Sequence, residues 1–107
     1  MEYTTVFGSL TGVASFDRAA KDVIAQGYSP VGGVCVNKTT NYFAAFVKDP
    51  NVITDDIRVA AGSSLALMTT MAKQYIAEGF TPLGPIAYNG DITLCQLFVK
   101  QTVVSQP

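Results

Sequence analysis

The sequence predicts an α+β domain made of two β-α-β-β units in tandem, and three observations carry this prediction. The chain has 107 residues, of which 49% are hydrophobic, and this is enough for one domain with a core of its own. Residues 12–48 align without a gap on residues 64–100 and share 12 identities with them, which indicates an internal duplication. Within each copy, apolar residues recur first at helical spacing and then in strand-like runs.

The first unit spans residues 1–50. Residues 3–7 predict a strand, and the helix that follows has an apolar stripe formed by Val13, Phe16, Ala20, Val23 and Ile24. The helix is expected to end at Gly27, because glycine fits the left-handed position after a helix, and Pro30 blocks its continuation. The remaining elements of this unit are two strands and the turn between them, at residues 31–36, 42–48 and 37–41.

The second unit spans residues 51–107, after a turn at Asp49, Pro50 and Asn51. Its leading strand, residues 57–60, is the weakest prediction because two aspartates precede it. Ser63 or Ser64 can cap the helix, whose stripe is Leu65, Met68, Ala72, Tyr75 and Ile76. The helix ends at Gly79 before Pro82, and the last elements are strands at residues 83–88 and 92–100 around an Asn89-Gly90 turn.

The two units are expected to form a single domain, residues 1–107, because one unit alone would leave a sheet edge or face open. We expect them to pack about a pseudo-twofold axis, as an antiparallel or mixed sheet with both helices on one face. The alternative is two sheets that face each other with the helices outside.

The shared pattern of the units resembles a known family. In each unit the helix ends in glycine, an aromatic residue and then proline, and the last strand ends in Phe-Val-Lys. The matching residues are Tyr3, Gly27, Tyr28, Pro30, Gly32, Gly33, Ala44 and Lys48 in the first unit and Gly79, Phe80, Pro82, Gly84, Gln96 and Lys100 in the second. This pattern resembles the domain of unknown function 1737 family of small bacterial and phage proteins. The resemblance implies the fold and a bacterial or phage origin, and no activity comes with it.

The composition argues against several kinds of chemistry. The chain has no histidine, so it lacks an imidazole base and a histidine-bound zinc site, and its 2 cysteines are too few for a thiolate site. A net charge of -1 with 14% charged residues argues against nucleic-acid binding, which needs a basic surface. We therefore expect no catalytic residues, no metal and no cofactor.

The cysteines and the chain start bear on the compartment. Cys35 and Cys95 lie in apolar runs, so both are expected to be buried free thiols, with a disulfide as the alternative. The first residues show no secretory signal, and no apolar run is long enough to cross a membrane. A cytoplasmic setting is the expectation.

Three pairs of residues are candidates for binding. Tyr42 and Tyr88 flank the hairpin turns, where side chains are often exposed, and tyrosine is enriched at interfaces. Lys48 and Lys100 would face each other across the pseudo-twofold and could hold an anion, unless they are solvated lysines at strand ends. The glycine pair at residues 32 and 33 could approach a phosphate, or could form the turn or bulge that starts a strand.

Two functions follow from these candidates. The first is a non-enzymatic interaction module that binds a protein partner or assembles with itself. The alternative is a protein that binds or sequesters a small anionic ligand such as a nucleotide, through Lys48, Lys100 and the Gly32-Gly33 loop. Neither nucleic acid nor a membrane is an expected partner.

Overall fold

Residues 2–9 and 15–104, the part of the chain that the computed structural model describes, form two helices and seven strands. In chain order these are β1 (Tyr3–Gly8), α1 (Phe16–Ala25), β2 (Tyr28–Pro30), β3 (Cys35–Val36), β4 (Tyr42–Lys48), β5 (Val52–Gly62), α2 (Leu65–Ala77), β6 (Thr81–Tyr88) and β7 (Leu94–Val103). The predicted α+β class is confirmed. The predicted stripe position Val13 lies outside the described residues.

Both helices begin at a capping serine and end at the predicted glycines; the cap at Ser64 was also predicted. The side-chain oxygen of Ser15 accepts a hydrogen bond from the backbone N–H of Arg18, and Ser64 caps α2 in the same way. After the last helical turns, Gly27 and Gly79 have φ values of 94° and 97°. These left-handed conformations favour glycine, so the predicted helix ends are confirmed.

The strands form two antiparallel sheets within the described ranges. Sheet A has the order β1-β4-β2, and β3 also pairs with β4; sheet B has the order β5-β7-β6. The preferred prediction of one sheet with both helices on one face is therefore wrong, and the two-sheet alternative is closer. Since each sheet pairs only strands of its own half, no backbone ladder joins the two halves in the described part of the chain.

Two strand predictions differ from the structure by several residues. The strand predicted at residues 31–36 forms only at Cys35–Val36, because Gly32, with a φ of 77°, turns the chain between β2 and β3. The strand predicted at residues 57–60 is longer, since a bulge between Thr54 and Asp56 takes up the extra aspartate and lets β5 pair with β7. The strand at residues 42–48 is confirmed as β4.

Two apolar clusters hold the layers together. The inner cluster joins sheet A and α1 to one face of sheet B; its buried members are Val6, Phe16, Ala20, Val34, Val36, Tyr42, Ala44, Phe46, Ile57, Val59, Cys95, Leu97 and Val99. The outer cluster joins α2 to the opposite face of sheet B; its members are Ala60, Met68, Phe80 and Phe98. Burying this apolar surface supplies most of the stabilisation.

The sheets meet through unlike faces. Sheet A contributes the face on which α1 packs, whereas sheet B contributes the face opposite to α2. A twofold axis brings equivalent faces together. The two halves therefore do not pack about the predicted pseudo-twofold axis. Each half is a sheet with its helix on one face, and the two halves stack in the same direction.

Polar and backbone contacts also link the halves. The buried hydroxyl of Thr54 donates to the hydroxyl oxygen of Ser29 over 2.8 Å. At the hairpin turns, the side-chain amide of Asn89 donates to the carbonyl of Asn37 over 3.2 Å. These bonds satisfy polar groups at the junction and fix how one half sits on the other.

Candidate interaction surface

The outward face of sheet A is apolar and exposed to solvent. Side chains alternate along a strand, so this face carries the residues that point away from the inner cluster. Its residues, which we call the open face, are Tyr3, Thr5, Phe7, Val31, Cys35, Phe43 and Ala45. The rings of Phe7 and Phe43 lie 5.1 Å apart between centroids, and the face forms a groove of about 420 Å³. Phe7 remains 59% exposed.

The corresponding face of sheet B is covered. The two sheets have the same registers, since Tyr3 pairs with Val47 as Ile57 pairs with Val99. The residues of sheet B that correspond to the open face belong to the inner cluster or pack against it; they are Ile57, Val59, Ala61, Leu83, Ala87, Cys95 and Leu97. The same position in the fold is thus core in sheet B and surface in sheet A.

Apolar side chains on α2 and β6 are also exposed. In the first half, Val34 and Val36 are 4% and 8% exposed because they pack in the inner cluster, where β3 contacts sheet B. The residues 52 positions later, Ile86 and Tyr88, are 44% and 60% exposed. We define the α2 flank as Ile76, Ile86, Tyr88 and the half-buried Leu94.

The two candidate tyrosines have different environments. Tyr42 is only 4% exposed and packs against Phe16, with 6.3 Å between ring centroids, so its predicted exposure is wrong. Burial raises the pKa of its phenol. Tyr42 is covered by the inner cluster, to which α1 and sheet B both contribute, and the local sequence around Tyr42 does not reveal this. Tyr88 is exposed as expected, and its hydroxyl donates to the carbonyl of Asp91 over 2.6 Å.

The two candidate lysines lie in different sheets, each over an aromatic ring of its own half. Lys48 forms an ion pair with Glu2 over 3.2 Å, and its Nζ is 5.1 Å from the centre of the Tyr28 ring. Lys100 Nζ is 4.7 Å from the centre of the Phe80 ring. The halves do not meet through equivalent faces, so no twofold axis relates Lys48 to Lys100. The predicted pair of lysines across such an axis is therefore not formed.

The glycine pair forms a turn at the junction of the halves. Gly32 and Gly33 lie between β2 and β3, not before a helix whose N–H groups could bind a phosphate. A Cβ built on Gly33 would lie 3.3 Å from the carbonyl oxygen of Leu83. The glycine pair therefore forms a turn rather than a phosphate-binding loop. This turn brings the backbone of the first half close to that of the second.

The two cysteines are free and differ in exposure. Cys95 is buried in the inner cluster, and burial raises the pKa of its thiol to about 11. Cys35 is exposed on the open face, so the expectation that both thiols are buried is wrong for Cys35. Among residues 2–9 and 15–104, no group of three or more cysteine and acidic side chains is placed to bind a metal ion.

Tyr3, Phe7 and Phe43 were not among the binding residues predicted from the sequence. A signal was present, because Phe7 follows the core residue Val6, and Phe43 and Ala45 alternate with the core residues of β4. Apolar residues on both faces of a strand are typical of sheets that are covered on both faces. In the chain by itself, the second face of sheet A is exposed.

No family profile, curated protein or solved structure matches this chain. The resemblance to the domain of unknown function 1737 family therefore stays a prediction. Of the helices in the described part of the chain, neither has the length and apolar character needed to cross a membrane.

Proposed function

We propose that this protein is a non-enzymatic interaction module that binds a protein surface through the open face of sheet A. One observation carries the proposal: the open face is apolar and exposed, whereas the corresponding face of sheet B is buried. A contiguous apolar patch on a folded protein marks an interaction site more often than chance.

The chemistry of the open face supports a protein partner. It presents three aromatic rings, those of Tyr3, Phe7 and Phe43, and no charged side chain among its defined residues. The cores of protein interfaces are enriched in aromatic residues and poor in charges. A groove lined in this way binds an apolar surface better than it binds an anion.

We further propose that the halves are two copies of one β-α-β-β unit, as the resemblance to the domain of unknown function 1737 family implies. Support comes from the equal registers of the two sheets and from the paired glycines at Gly27 and Gly79. The module needs no cofactor in this proposal. Two free thiols, one of them exposed, suit a reducing compartment such as a bacterial cytoplasm.

The test compares Phe7→Glu with the wild type and with Leu67→Glu, a matched change of an exposed residue on α2. Self-association is measured by sedimentation velocity, and binding of other proteins by affinity capture from a source-cell lysate. We expect an association that the wild type and Leu67→Glu share and that Phe7→Glu loses. An association that Phe7→Glu retains, or the lack of any association in both assays, would refute the proposal.

A further inference from the structure

We propose that the partner of the open face is a second copy of this chain, which docks through its α2 flank in a head-to-tail manner. This inference rests on the proposed function and names its partner. It starts from the way the two halves of one chain already pack, because that packing shows which surface covers the face of a sheet of this kind.

Within the chain, sheet B receives the first half on its helix-free face. Val34 and Val36 pack in the inner cluster with Cys95 and Leu97, and β3 contacts both β6 and β7. Ile24 of α1 packs against the same cluster beside β5. The covering surface is therefore one flank of a helix together with the strand that follows it.

The second half presents the counterpart of that covering surface to solvent. By the 52-residue shift, Ile24 corresponds to Ile76, while Val34 and Val36 correspond to Ile86 and Tyr88. Ile76, Ile86 and Tyr88 are exposed, whereas the residues that correspond to them in the first half pack in or against the inner cluster. The α2 flank thus has the chemistry of a covering surface and lies uncovered in the chain.

The open face has the chemistry of the receiving surface. Its pairs Thr5↔Ala45 and Phe7↔Phe43 occupy the register positions of Val59↔Leu97 and Ala61↔Cys95, which receive the first half. Every chain therefore carries one uncovered receiving face and one uncovered covering flank. If the junction between the halves were repeated between two chains, it would bury the open face of one copy and the α2 flank of the other.

The charges at the junction agree with this docking. Lys21 lines the same depression as Asp55 and Asp56 at the α1–β5 junction. In the shared register Glu2 precedes Tyr3 as Asp56 precedes Ile57, so between chains Lys73 of one copy would face Glu2 of the next, whose carboxylate also pairs with Lys48.

The assembly that follows is heterologous. Because two different surfaces meet, each copy can bind one neighbour on either side, and the complex is a ring if the rotation closes or a filament if it does not. A face-to-face dimer of two open faces would instead be symmetric. The two arrangements respond differently to mutation.

The experiment uses one variant of each surface. Phe7→Glu places a charge on the open face, and Ile86→Glu places one on the α2 flank; Tyr88→Glu replaces the latter if circular dichroism shows that it misfolds. Leu67→Glu is the control, because nine residues place Leu67 on the side of α2 opposite to Ile76. Self-association is measured by sedimentation from micromolar to near-millimolar concentration.

We expect the wild type and Leu67→Glu to assemble, and Phe7→Glu and Ile86→Glu each to weaken assembly at least about tenfold. A mixture of the two impaired variants should form one-to-one pairs and nothing larger, because each variant retains the surface that the other lacks. Native mass spectrometry counts the chains in these complexes.

Two results would overturn the inference. A wild type that stays monomeric over the whole range rules out the second copy, and the proposed function then depends on capture of another protein by the open face. If Phe7→Glu abolishes assembly, Ile86→Glu does not, and their mixture forms no pairs, the open faces bind each other. This last outcome refutes head-to-tail docking and leaves the proposed function standing.

Discussion

Gly33 and Gly84 bring the backbones of the two halves into direct contact. A Cβ built on Gly84 would lie 2.6 Å from the nitrogen of Gly33 and 2.7 Å from its Cα. Since the obstacle is backbone rather than a mobile side chain, a larger residue at 84 would push the halves apart.

Gly84→Ala is therefore expected to lower the free energy of unfolding by about 2–4 kcal/mol, from the steric clash together with the strain of a φ of 80°. Gly32→Ala is the matched control, because Gly32 has a similar φ of 77° and open space around it. Its cost should be about 1 kcal/mol, the backbone strain alone. Urea denaturation of dilute protein measures both, and equal losses would argue against the close contact.

The two thiols should react at very different rates. Cys35 is exposed, while Cys95 is buried with a raised thiol pKa of about 11, and the thiolate is the reactive form. We expect one rapid equivalent with a disulfide reagent at neutral pH and a second after unfolding. Cys35→Ser should remove the rapid equivalent and Cys95→Ala should not; two rapid equivalents in the wild type would contradict the burial of Cys95.

The same thiol makes stability depend on alkaline pH. Its pKa is near 9.0 in an unfolded chain and about 11 in the fold, so between these values the unfolded state loses its proton first. The native state then binds more protons, and the free energy of unfolding falls as pH rises from 9 to 11, by at most about 1.4 kcal/mol per pH unit.

Cys95→Val removes this thiol and should flatten the decline, which chemical denaturation at a series of pH values measures. A residual slope is expected above pH 10, because burial also raises the pKa of Tyr42 from 10.0. Identical slopes for the wild type and Cys95→Val would show that the thiol ionises equally in both states.

The anion-binding alternative is tested at Lys48 and Lys100. Each lysine already lies over an aromatic ring, and Lys48 is paired with Glu2. We expect no heat of binding when nucleotides are titrated into the wild type, and we expect Lys48→Ala and Lys100→Ala to keep the self-association of the wild type. Nucleotide binding that both variants lose would favour the alternative.

Local signals predicted the elements of this fold well. Apolar spacing located both helices, and the glycines at Gly27 and Gly79 end them because a left-handed residue is needed there. Hairpin strands were located from their flanking turns, with an error where Gly32 interrupts a strand. These features depend on interactions between residues that are close in sequence.

The arrangement of the halves was not predictable in this way. Tyr42 and Leu94 are both apolar positions beside a turn, yet Tyr42 is buried in the inner cluster and Leu94 is only half-buried against the outer cluster. Alternation shows that β4 and β7 have two apolar faces, and it does not show which neighbour covers each face. The open face was missed for the same reason.

Because unlike faces of the two sheets meet, the same structural position is buried in one sheet and solvent-facing in the other. Ala45 and Leu97 hold the same place in their sheets, but Leu97 is fully buried and Ala45 is half-exposed. A change of size at Leu97 disturbs the packing of the inner cluster, whereas a change at Ala45 alters a solvent-facing surface. The open face can therefore change its chemistry at little cost to the fold.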